Sequence, residues 1–223
     1  MFRVLFNQPG VLATTLAAGG ILAITMGARQ SMGPFVSPLN TSTGLAIATI
    51  SLALAVAQFV WGAAQPVAGA LADRHGPRPV LIGGLFIMAL GSAVTPFMDS
   101  GLGLIFAIGL LTAVGSGSSS FSVLMGAAAQ RLPLEARGTA SGVINAGGSF
   151  GQFVFAPIVQ KLIQATGWMN AMWALALMTL AALPLVGRLT RPIEHPVKHA
   201  EADHGVMRTI GGAMQDRSYL LLH

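Results

Sequence analysis

The sequence predicts an all-α membrane protein with six transmembrane helices, and three observations carry that reading. The 223-residue chain is 53% hydrophobic and only 9% charged, whereas a soluble domain carries about 25% charged residues. Its apolar residues gather into six stretches of the ~20 residues that a helix needs to cross ~30 Å of hydrocarbon. Its basic residues collect in alternate loops, the pattern left by membrane insertion.

The first stretch runs from about Val11 to Val36 and is interrupted by Arg29 and Gln30. Arg3 followed by an apolar run resembles a signal peptide, but further long apolar segments follow, so an uncleaved first helix is expected. The second stretch, Gly44 to Ala72, the fourth, Leu102 to Ala129, and the fifth, Gly138 to Ile163, exceed the minimum length. They are expected to tilt or to emerge into water. The third, Val80 to Met98, and the sixth, Trp168 to Leu189, are close to the minimum. Pro66, Pro96, Pro157 and Pro184 are expected to kink their helices. The resulting division is a six-helix bundle over 1–189, a polar linker over 190–216 broken by Pro192 and Pro196, and the start of a truncated seventh helix over 217–223.

Six spans place both ends on one side. Arg3, Arg74, Arg78, Arg131, Arg137, Arg188, Arg191, Lys198, Arg208 and Arg217 all fall at the N-terminus, in the second–third and fourth–fifth loops, or in the tail. The opposite loops, 37–43, 99–101 and 164–167, contain only Asp99 as a charge, with Lys161 just before the last. Basic loops stay in the cytoplasm, so both termini are expected there.

Composition also excludes functions. A net charge of +5 and a sequence pI of 11.1 would suggest nucleic acid in a soluble protein. Here the basic residues already serve topology, so no nucleic-acid partner is expected. The absence of cysteine rules out disulfides and thiolate metal sites, and neither cofactor nor metal is expected. Gly115-Ser-Gly-Ser lacks a following P-loop lysine. A serine nucleophile would need a base, and His75, His195, His199, His204 and His223 all fall in loops, in the tail or at the last residue. No enzymatic activity is expected.

The strongest local pattern is at residues 69–79, where Gly69, Asp73, Arg74, Gly76 and Arg78 sit between two apolar spans. Gly76 and Pro77 force a tight reversal. Gly-x-x-x-Asp-Arg-x-Gly-x-Arg resembles the signature loop between the second and third helices of major facilitator superfamily (MFS) transporters. The family's loop has a basic residue directly after the second glycine; here that position is Pro77 and the arginine comes one later. The resemblance implies two inverted three-helix repeats forming the first of two six-helix bundles. It also implies secondary transport of a small-molecule substrate across a cell inner membrane by alternating access. Gly69, Asp73, Arg74, Gly76 and Arg78 would then form a conformational latch. The partner would be a missing C-terminal six-helix half or a second copy of the chain. A six-helix homodimer or a non-transporting scaffold is the alternative.

Arg29 is the leading substrate-binding candidate. A cation in hydrocarbon costs ~3 kcal/mol or more. It must therefore face a cavity or partner, or snorkel to the interface. In a cavity it would hold a carboxylate through paired hydrogen bonds. Gly27-Ala-Arg-Gln-Ser-x-Gly-Pro-Phe35 is similar to the first helix of bacterial MFS members grouped with monocarboxylate and oxalate/formate carriers, which implies an organic anion. Gln30, Gln58, Asn145 and Gln152 are further candidates. Gln58 and Gln65, and likewise Asn145 and Gln152, are spaced by seven and share a helix face. In many family members an Arg stands four residues before the first glycine of the fourth-helix Gly-x-Gly; here it is Leu111, so the resemblance carries no simple proton symport. Gly138 and Gly142, then Gly147 and Gly151, read as patches for close helix packing. Trp61, Trp168 and Trp173 read as packing or interface anchors, and the methionines as core filling.

Overall fold

The computed structural model describes residues 9–190. The linker from residue 191 to 216 and the seventh-helix start over 217–223 lie outside them, as do Arg3, Arg191, Lys198, Arg208 and Arg217. Six helices long and apolar enough to span a membrane follow one another: α1 Gly10–Thr43, α2 Ile47–His75, α3 Pro77–Phe97, α4 Gly101–Ala129, α5 Leu134–Thr166 and α6 Trp168–Leu189.

Helix α1 reaches seven residues beyond the expected end at Val36. Its polar tail stays helical because hydroxyls bond back onto the helix: Thr41 donates to the Ser37 carbonyl at 3.0 Å and Thr43 to the Leu39 carbonyl at 2.7 Å. A 3-10 turn over Gly33–Phe35 interrupts it where Pro34 enters. Gly44, at φ +70°, ends it. Helix α5 starts at Leu134, four residues before the expected Gly138, because Pro133 is extended and Glu135 in the first turn favours the positive helix end.

Prolines act in two ways. Pro66 and Pro157 lie inside continuous helices. Pro96 instead belongs to a closing 3-10 turn, and Pro184 sits in the first turn of the last α6 segment, Leu183–Leu189. A proline in a first turn removes no helical hydrogen bond.

Helix α4 is the least regular. Ser100 caps its start, accepting from the Gly103 N–H at 3.1 Å. Ile105–Thr112 is π-helical, and the Thr112 hydroxyl donates five residues back to the Ala107 carbonyl at 3.1 Å. The helix then breaks at Ser119 and Ser120.

Glycines set the closest approaches. A methyl on Gly147 would lie 2.7 Å from the Gly19 carbonyl oxygen, and one on Gly151 would collide with the Ala23 carbonyl. Gly27 faces Phe155 in the same way, at 2.6 Å. Numbers rise together along this seam, so α1 and α5 run parallel. Gly138 and Gly142 face open space, contrary to the packing expected of them. Gly138 lies nine residues, two and a half turns, before Gly147, which turns it to the opposite side of α5. On the other flank, a methyl on Gly91 would meet the Ala107 carbonyl oxygen at 2.7 Å, and one on Gly115 would strike the α3 backbone.

Two apolar clusters fill the bundle. One gathers Ile21, Leu81, Leu124, Ile144 and Val186, the other Phe35, Ile50, Met88, Leu104 and Met172. Burial is uneven: 61% of the apolar window of α1 is buried against 11% of that of α2. Phe59 and Val67 on α2 and Phe150 and Phe153 on α5 are exposed.

Candidate substrate site at Arg29

Arg29 occupies the last turn of the first α-helical stretch of α1, Pro9–Gln30, with the 3-10 turn directly beyond. The span continues fourteen residues past it to Thr43, about 21 Å at ~1.5 Å per residue. Arg29 is therefore inside the helix rather than at its end.

Helix α2 supplies its partners. Nη1 of Arg29 donates to Oε1 of Gln58 at 2.7 Å. The guanidinium carbon stands 4.0 Å from the centre of the Trp61 ring. Gln58 and Trp61 are three apart and share a helix face. Nη2 also meets the Met26 sulfur at 3.9 Å. Two donors are left over: the Arg29 Nε and the Trp61 Nε1 are buried without a hydrogen-bond partner. A buried donor without an acceptor costs ~1–3 kcal/mol, more when charged.

Beside the guanidinium lies a pocket of about 170 Å³, lined by Arg29, Gln30, Gly33, Leu54, Gln58, Ile108 and Thr112 among others. No acidic residue lines it, so its field is positive. The volume falls below the ~300–1,000 Å³ of an ordinary ligand pocket. The π-helical turn of α4 brings Ile108 and Thr112 to this wall. Such turns often occur at functional sites.

The structure thus brings Arg29, Gln30 and Gln58 together, and adds Trp61, Met26 and Thr112. Asn145 and Gln152 are exposed on α5 and do not line the pocket. Gln65 does not line it either. The α4 serines mostly serve their own backbone: Ser116 donates to the Ala113 carbonyl at 3.0 Å and Ser118 to the Val114 carbonyl at 2.9 Å. Ser119 is fully buried with no partner for its hydroxyl. Trp173, read as a packing or interface anchor, is 43% exposed, donates to the Ala93 carbonyl at 3.2 Å and meets Phe97 at 6.2 Å between ring centres.

The charged turn lies elsewhere. His75 ends α2, Pro77 opens α3, and Gly76 alone joins them at φ 85°, ψ 155°. Asp73, Arg74 and Arg78 are exposed. Among the described residues no ion pair joins them, and nothing approaches within 4 Å of a methyl built on Gly69.

The family model described as Major Facilitator Superfamily matches residues 18–219. Monocarboxylate transporter 13 of Rattus norvegicus is 30% identical over 175 residues, a match covering 77% of this chain and 39% of that protein. The oxalate:formate antiporter of Oxalobacter formigenes is 26% identical over 148 residues, covering 66% of this chain and 34% of that protein. Among solved structures, an MFS proton:xylose symporter superposes with a TM-score of 0.66 at 18% identity, over 79% of this chain and 44% of its own. The chain spans less than half the length of each of these relatives. With the six helices and a family model that spans most of the chain, the protein belongs to the Major Facilitator Superfamily as a multi-pass, all-α membrane protein.

Proposed function

We propose that this chain forms the first six-helix wall of a secondary carrier for a small organic anion, such as a monocarboxylate, working by alternating access. One observation carries the substrate class: a guanidinium with a free buried Nε–H faces a pocket that contains no acid. A carboxylate satisfies both the charge and the geometry, since its two oxygens accept parallel N–H bonds from arginine. Gln58 and Trp61 hold the guanidinium plane in place, so little side-chain freedom is lost on binding. The names of the monocarboxylate and oxalate:formate relatives support the same class.

The pocket is one wall of the site. Its small volume, the exposed faces of α2 and α5 and the partial coverage of the relatives support a second six-helix bundle as the opposite wall. Asn145 and Gln152 on the exposed α5 face would then meet the substrate or that bundle. Asp73, Arg74 and Arg78 with Gly69 and Gly76 would latch the two bundles on the cytoplasmic side. Gly69 has nothing against it among the described residues, a place that suits a helix of the partner bundle. The basic end of the bundle is assigned to the cytoplasm of an inner membrane.

The test uses the purified chain in detergent with Trp168→Phe and Trp173→Phe, so that fluorescence reports Trp61 alone. Titrated lactate is expected to change Trp61 emission with saturation, and neutral lactamide to leave it unchanged. Equal responses to lactate and lactamide, or none to lactate with Arg29 intact and the fold verified by circular dichroism, would remove the carboxylate site.

A further inference from the structure

Far from Arg29, a groove of about 310 Å³ runs along the outside of the bundle between the start of α1 and the end of α6. Leu12, Ala13, Leu16, Ala17 and Leu185 make its floor and walls, and Arg188 stands on its rim. Leu16 is 56% exposed, on the lipid-facing side of α1. Two other apolar grooves, of about 510 Å³ between α2, α3 and α4 and about 410 Å³ between α3 and α6, have no charged side chain in their linings. Only in the α1–α6 groove, of these three, does a cation close the end of an apolar trough.

The rim is built rather than incidental. Arg131, from the connection between α4 and α5, donates through Nη1 to the Arg188 carbonyl at 2.9 Å. That contact ties two arginine-bearing segments together at one point. The guanidinium of Arg188 has no hydrogen-bond or ion-pair partner among the described residues. Arg188 lines the groove at the end of the bundle that also carries Arg74, Arg78 and Arg137.

We propose that this groove binds an anionic phospholipid, with one acyl chain along Leu12, Leu16 and Leu185 and its phosphate on Arg188. The occupant must be apolar along most of its length and negative at one end. A soluble acid lacks the first property and a zwitterionic lipid presents a weaker anion. Basic pockets between helices at the cytoplasmic face favour anionic headgroups on general electrostatic grounds. The inference is independent of the substrate site, since none of the groove residues lines the Arg29 pocket.

The test is native mass spectrometry of the chain in mild detergent with dioleoyl phosphatidylglycerol or dioleoyl phosphatidylcholine at equal concentration. Phosphatidylglycerol adducts are expected to survive at least about fivefold better. Arg188→Gln is expected to bring the two lipids within about twofold of each other. Leu16→Trp fills the groove without touching its charge and is expected to lower retention of phosphatidylglycerol. Both positions are exposed, so the fold should survive, and circular dichroism checks that it does. Equal retention of both lipids, or a preference unchanged in Arg188→Gln, overturns the proposal. Displacement of the lipid by millimolar inorganic phosphate would make the rim a simple anion site and also overturn it. So would unchanged retention in Leu16→Trp, or a dimer mass that this substitution abolishes, which would mark the groove as a contact between copies.

Discussion

The guanidinium carbon of Arg29 lies 4.0 Å from the centre of the Trp61 ring, so an arginine of α1 rests on a tryptophan of α2. A cation on an indole face is worth ~0.5–2 kcal/mol, and the bond from the charged Nη1 to Gln58 ~1.5 kcal/mol. Together these offset the ~3 kcal/mol that insertion scales assign to an arginine within a span. Arg29 is thus held without an acidic partner, which would have cancelled its charge.

Arg29→Ala should expose the Trp61 ring to a different environment. In the background that retains Trp61 as the sole tryptophan, its emission maximum is expected to shift. The same variant should lose the lactate response. Arg29→Lys should keep part of the charge effect but lose the planar stacking and paired hydrogen bonds. An emission spectrum indifferent to Arg29→Ala would refute the stacking geometry.

Gln58→Leu removes the acceptor that orients Nη1. Carboxylate affinity is expected to fall about tenfold, the equivalent of ~1.4 kcal/mol. Gln58→Glu should weaken lactate binding further, because an internal carboxylate would occupy the guanidinium. Isothermal titration of the two variants orders them; a tighter Gln58→Glu would show that the pocket does not select anions.

Gly151→Ala drives a methyl into the Ala23 carbonyl, a backbone atom that cannot turn aside. Overpacking of this kind costs ~1–3 kcal/mol, or about 3–10 °C in a chain of this size. Gly147→Ala should behave alike, since its methyl would lie 2.7 Å from the Gly19 oxygen. Gly138→Ala, which meets nothing within 4 Å, should leave the transition in place or raise it slightly. Thermal unfolding in detergent separates the three.

Gly76→Ala strains the α2–α3 reversal. At φ 85°, ψ 155° the residue lies in a region essentially reserved for glycine. A loss of ~1–3 kcal/mol is expected. An unchanged melting temperature would mean that the turn readily adopts another path.

The spans were legible because apolar length is a composition signal that needs no partner. All six spans appear, and their ends differ where hydroxyls on Thr41 and Thr43 keep a polar sequence helical, or where Pro133 and Glu135 start α5 early. Arg29 and Gln58 were legible as polar residues inside apolar runs. Trp61 reads in the sequence as a packing or interface anchor, although its spacing of three from Gln58 places it on the same face. Thr112 gave no signal at all, because it reaches the pocket through a π-helical turn that no periodicity announces. The glycine pairs of α5 look identical in sequence, yet only their angular offset decides that Gly147 and Gly151 meet α1 while Gly138 and Gly142 do not.

The seam between α1 and α5 bears on leakage. With Gly147 against Gly19, Gly151 against Ala23 and Phe155 against Gly27, the two helices leave no gap of molecular width along the stretch that leads up to Arg29. A hydrated ion or proton wire has no passage between these two helices. On the other side of Arg29 lies the pocket to which α2 contributes Gln58 and α4 contributes Thr112, so the way in is on their side of the residue.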